Sequence, residues 1–129
     1  MIHNVIKYED YDGNERTEDA YFNINDVELA RLEATYPGGF SKALEKAQKT
    51  NDAGDYFRIF EEIVKVAYGI KSEDGRRLIK NPIATEEFMQ SEAYSELFYL
   101  VLKDEQAAET FFKGVLGAKH FGPKDESSK

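Results

Sequence analysis

The stretch at residues 68–98 reads YGIKSEDGRRLIKNPIATEEFMQSEAYSELF, and the rest of the chain is organised around it. Its centre, SEDGRR at residues 72–77, is polar and contains Gly75, so it predicts a tight turn. Strongly apolar segments with helical spacing lie on both sides of this turn. We therefore interpret residues 72–77 as a hinge that joins two helical blocks.

The segment before the hinge is amphipathic. Its apolar residues form a wide stripe at helical spacing: Tyr56, Phe57, Phe60, Ile63, Val64 and Ala67. This pattern predicts a helix over residues 55–68, with Gly69 placed to end it as a C-cap. Shorter patterns upstream predict a helix at residues 26–36, with Asn25 as its N-cap, and another at residues 40–49.

The segment after the hinge contains three further helical patterns. Pro82 suits the first turn of a helix that continues to Met89. Ser91 is an N-cap candidate for the next helix, and Asp104 is one for the last. The last helix carries a stripe of apolar residues: Ala108, Phe111, Phe112, Val115 and Leu116. Residues 118–129 carry few apolar side chains, and we expect them to form a disordered C-terminal tail.

Two segments near the N-terminus, residues 2–8 and 17–24, are rich in β-branched and aromatic side chains. Between them, residues 10–14 read DYDGN and concentrate turn-forming residues around an Asp-Gly pair. This arrangement predicts a β-hairpin. The predicted fold class is therefore mainly α, with an N-terminal β-hairpin followed by a compact bundle of five to six helices, in a single domain over residues 1–117.

The composition narrows the class of protein. The chain has 129 residues, no Cys and a formal net charge of −8, so a thiol nucleophile and Cys-based metal sites are excluded. Nine acidic and three basic side chains give residues 1–36 a net charge of −6, which repels nucleic acids and anionic lipids. No apolar run approaches the roughly 18 residues that a membrane-spanning helix needs. We expect a cytoplasmic protein that binds neither nucleic acid nor membranes.

Patterns that resemble catalytic or metal-binding sites are incomplete. The motif DxDxN at residues 10–14 resembles the start of a calcium loop, but Glu15 and Tyr21 stand where such a loop needs Gly and Glu. His3 and His120 each lack a second ligand at metal-binding spacing. Adjacent carboxylates are numerous, as expected for solvated helix faces in a chain with 25 acidic residues. We predict no catalytic residue, no metal and no cofactor, and hence a protein that is not an enzyme.

Aromatic residues of the last two helices are the best candidates for a binding surface. Residues 97–102, LFYLVL, are apolar without interruption, and such a helix either is central or presents one face to another chain. Four side chains are therefore candidate partner-binding residues: Tyr94, Phe98, Phe111 and Phe112. Packing in the core is the alternative for all four. In the hinge, Arg76 and Arg77 are candidates for pairing with a partner's carboxylates or with those of the acidic N-terminal third, and a purely structural turn is the alternative.

Six segments occur in an order and spacing that are typical of one known family. They are YDGNERTE at residues 11–18, YFNI at 21–24, YGIKSEDGR at 68–76, Lys80, FMQSEAYSELF at 88–98, and an Ala- and Phe-containing helix at 107–116. On this ordered set, which extends over residues 5–117, the chain resembles the tail assembly chaperones of long-tailed bacteriophages of Gram-positive hosts.

The resemblance implies a non-enzymatic role and particular partners. Such chaperones bind the long, helical tape measure protein and keep it soluble while tail tube subunits polymerise around it. The implied partners are therefore the tape measure protein and the tail tube protein. The implied place of action is the host cell cytoplasm and not the mature virion. Self-association of the chain is left open.

Two other functions remain as alternatives. The first is a structural virion component, such as a head–tail connector or a tail-tube accessory protein. The second is an acidic DNA mimic that inhibits a nuclease, which fits the net charge but fits poorly with the many aromatic residues and with 17 basic side chains.

Overall fold

The computed structural model describes residues 1–50 and 53–117. The predicted C-terminal tail at residues 118–129 lies outside the described residues. Four strands and six helices follow one another along the described part of the chain. In order they are β1 Ile2–Glu9, β2 Glu15–Phe22, α1 Asp26–Thr35, α2 Phe40–Thr50, α3 Ala53–Ala67, β3 Tyr68–Lys71, β4 Leu78–Ile79, α4 Pro82–Met89, α5 Glu92–Leu102 and α6 Glu105–Leu116.

The four strands form an antiparallel sheet in the order β1-β2-β3-β4. β1 and β2 pair along eight consecutive positions on either side of the DYDGN turn, in which Gly13 has a φ of 84°. The predicted N-terminal hairpin is therefore confirmed. β3 pairs with β2, with Tyr68 opposite Phe22, and β4 pairs with β3, with Ile79 opposite Ile70.

The structure corrects the predicted end of the long amphipathic helix. Helix α3 ends at Ala67, and Gly69 is a residue of strand β3, so the prediction of Gly69 as a C-cap is wrong. A Cβ atom at Gly69 would lie 2.6 Å from Cγ of Leu78 and 3.2 Å from the carbonyl oxygen of Ile79. Glycine is therefore needed here because β4 approaches β3 closely, and not because a helix ends.

The predicted hinge at residues 72–77 is the tip of a second hairpin. The backbone N–H of Ser72 donates to the carbonyl oxygen of Arg77 at 2.9 Å, and Gly75 has a φ of 77°. The tight turn is thus confirmed, but it joins β3 to β4 and does not join two helices. The fold is mainly α in outline, as predicted. The six described helices pack against a four-stranded sheet, whereas the sequence predicted a hairpin followed by a bundle of helices.

The helices cover one face of the sheet, and the other face is solvated. Ile6 and Phe22 point toward the helices and are buried, and the ring of Phe22 lies 5.5 Å from that of Phe111 in α6. On the opposite face, the rings of His3 and Tyr21 stack at 4.4 Å. An antiparallel sheet can have one solvent-exposed face, because apolar and polar side chains alternate along its strands.

Local side-chain chemistry sets several helix ends. The side chain of Asn25 accepts the N–H of Glu28 at 2.8 Å, and the carboxylate of Glu28 accepts the N–H of Asn25 at 3.0 Å. Asp104 accepts the N–H of the third residue of α6 at 2.7 Å. The predicted N-caps Asn25 and Asp104 are therefore confirmed. Ser91 occupies the N-cap position of α5 as predicted, but its side chain forms no capping hydrogen bond, because its hydroxyl donates to the carbonyl of Phe88 at 2.7 Å.

Lys80, which follows β4, joins three elements. Its ammonium group donates to the carboxylate of Glu28 in α1 at 2.8 Å and to the carbonyl of Asn23, just after β2, at 2.9 Å. It also donates to the carbonyl of Val66, at the end of α3, at 2.7 Å. The last carbonyls of a helix have no partner within the helix, so a lysine at this point satisfies one of them.

Candidate functional site

The structure places Phe111 and Phe112 in the core. Phe111 is 4% exposed and Phe112 is fully buried. The ring of Phe111 packs against that of Phe60 at 6.1 Å, and the ring of Phe112 against that of Tyr56 at 6.0 Å. Core packing was the alternative considered for these side chains, and the fold realises it. Their contact with a partner stays a prediction.

Tyr94 and Phe98 lie between the core and the surface. Both are half-buried, and both rings contact that of Phe60, at 6.0 Å and 6.1 Å respectively. The hydroxyl of Tyr94 is buried and has no hydrogen-bond partner among the described residues. Burial, and then the nearby charge of Glu61, raises the pKa of Tyr94 to about 12. Tyr94 therefore stays neutral under all ordinary conditions.

An exposed aromatic cluster continues outward from Phe98. The ring of Phe57 in α3 lies 5.7 Å from that of Phe98, at an interplanar angle of 76°. The ring of Tyr99 lies 5.6 Å from that of Phe98, at an interplanar angle of 68°. Phe57 is 40% exposed and Tyr99 is 67% exposed, whereas Phe60 beneath them is fully buried. We call Phe57, Phe98 and Tyr99 the aromatic patch.

The sequence identified only one of the three residues of the aromatic patch as a binding candidate. Phe57 belongs to the apolar stripe of α3 and resembled a core residue, whereas Tyr99 belongs to the uninterrupted apolar run of α5, which indicated a central helix or an exposed face without naming Tyr99. A run that is apolar on all sides of a helix indicates that the helix either is central or leaves one face uncovered. It does not identify that face, because the choice depends on which elements pack against α5.

Arg76 and Arg77 are exposed at the tip of the β3–β4 hairpin. The side chain of Asp74 accepts the backbone N–H of Arg76 and the hydroxyl of Ser72, and these hydrogen bonds hold the pKa of Asp74 below its usual range. Neither guanidinium group forms an ion pair with a described residue. The tip is thus a stable turn that presents two cationic side chains to solvent, and a role for them in partner binding stays a prediction.

The carboxylate of Asp10, which begins the calcium-like motif, is used by the β1–β2 turn itself. It accepts the backbone N–H groups of Asp12 and Asn14, each at 2.9 Å, and the side chain of Arg16 at 2.6 Å. The hydrogen bond from Arg16, followed by that from Asn14, lowers the pKa of Asp10. Within residues 1–50 and 53–117, no group of three His, Asp or Glu side chains could hold a metal ion.

A groove of about 510 Å³ lies between α3 and α4. Its walls carry charges of both signs, from Glu61 and Glu86 and from Lys65 and Lys80. Lys80 already donates to one carboxylate and two carbonyls, so its ammonium group is not free for acid–base chemistry. In the described part of the chain, no helix is long and apolar enough to cross a membrane.

Comparison with known proteins identifies a family. A family model described as "Phage tail assembly chaperone" matches residues 1–121. No curated protein and no solved structure matches the chain. The matched range includes all six segments that carry the resemblance found in the sequence, so the predicted family is confirmed.

Proposed function

The chain belongs to the phage tail assembly chaperone family, and on that premise we propose that it binds helical segments of the tape measure protein and assists assembly of the tail tube. It acts through protein–protein contacts and is not an enzyme. Its place of action is the cytoplasm of the host cell, and it leaves before the virion is complete.

The aromatic patch is the observation that supports a binding role most strongly. Exposed apolar rings that touch one another are unusual on a small soluble protein, and contiguous patches of this kind mark interaction surfaces. Phe57 and Tyr99 keep much of their surface in water although their neighbour Phe98 packs on the core. Two helices, α3 and α5, supply the patch, and exposed apolar side chains on neighbouring helices suit the apolar face of a third helix.

Co-expression with the tape measure protein of the same phage tests the proposal. We expect the chain to raise the soluble yield of the tape measure protein and to co-purify with it. Tyr99→Ser should reduce both effects, because Tyr99 is exposed and its replacement leaves the core intact. Ile83→Ser is the matched control, since Ile83 is 70% exposed but lies on α4 and outside the aromatic patch.

Two results would contradict the proposal. One is an unchanged soluble yield together with the absence of the chain from the purified tape measure protein. The other is stable incorporation into purified virions, because an assembly chaperone dissociates whereas a head–tail connector or a tail-tube accessory protein remains.

A further inference from the structure

We draw no further inference here: the strongest candidate, the outer edge of strand β1, pairs with no further strand among the described residues and lies against helix α5, but nothing in the structure shows what would cover it.

Discussion

Lys80 offers the sharpest test of how the sheet and the helices are held together. Lys80→Met keeps most of the apolar stem and removes the ammonium group, which donates to Glu28, Asn23 and Val66. Because these three acceptors belong to different parts of the chain, one substitution loosens the contacts among α1, the end of β2 and the end of α3. We expect lower stability without a change of fold.

The exposure of the ion pair determines the size of this effect. The side chains of Lys80 and Glu28 are 26% and 17% exposed. A fully exposed pair contributes about 0–1 kcal/mol, and removal of one partner from a fully buried pair costs about 3–5 kcal/mol. A pair of intermediate exposure with two additional carbonyl acceptors should lose about 2–3 kcal/mol. This loss corresponds to a decrease in Tm of about 6–10 °C for a chain of this length.

Urea unfolding followed by circular dichroism measures the change in the free energy of unfolding. Lys42→Met is the matched control, because Lys42 is exposed on α2 and forms no ion pair with a described residue. Glu28→Gln, alone and combined with Lys80→Met, completes a double-mutant cycle in which we expect a coupling energy of about 1 kcal/mol or more. A loss of stability for Lys80→Met no larger than that for Lys42→Met, or a cycle without coupling, would contradict this role of Lys80.

Three further predictions concern aromatic residues. Tyr94→Phe should raise the free energy of unfolding by about 1 kcal/mol in a urea titration, because the buried hydroxyl that it removes has no hydrogen-bond partner. Phe112→Ala should cost about 3–5 kcal/mol in the same assay, whereas Tyr99→Ala should cost less than about 1 kcal/mol, because Phe112 is fully buried and Tyr99 is largely exposed. Burial, and then the charge of Glu18, raises the pKa of Tyr68 from 10.0 to about 12, so the contribution of Tyr68 to stability should be constant below about pH 10 and should be lost as the pH rises from 10 toward 12.

Each of these predictions has an outcome that contradicts it. A less stable Tyr94→Phe variant would mean that the hydroxyl has a partner. Similar losses for Phe112→Ala and Tyr99→Ala would mean that α5 and α6 are packed differently. For the alkaline transition, Tyr68→Phe should show a smaller loss of stability between pH 10 and 12 than the unmodified chain. An identical loss would assign the transition to other groups.

The sequence predicted the elements whose signals are local. The Asp-Gly turn of the first hairpin, the N-caps Asn25 and Asp104, and Pro82 at the start of α4 all act within a few residues of their own position. Amphipathic stripes identified α3 and α6 for the same reason, since the periodicity of a helix is contained in its own segment. The family was also accessible from the sequence, because it depends on the order of short segments along the chain.

Strands β3 and β4 were missed because their pairing is not local. They have four and two residues, which are too few to show an alternating pattern. β3 also depends on pairing with β2, in which Tyr68 lies opposite Phe22, forty-six positions away along the chain. Gly69 has a conformation that any strand residue could adopt. Glycine is needed only because Leu78 packs over this position. This contact is between two strands, so the residues around Gly69 in the sequence do not predict it.

The chain's own sequence thus determined the family, the acidic character and nearly every helix, all of which are encoded in neighbouring residues or in composition. Tertiary structure alone decided which aromatic residues face water. Phe111 and Tyr99 both belong to apolar helical segments of the sequence, but α6 packs against the sheet and buries Phe111, whereas Tyr99 is 67% exposed. Exposure is a property of the assembled layers, so the residues that remain available to a partner could be recognised only after the fold was known.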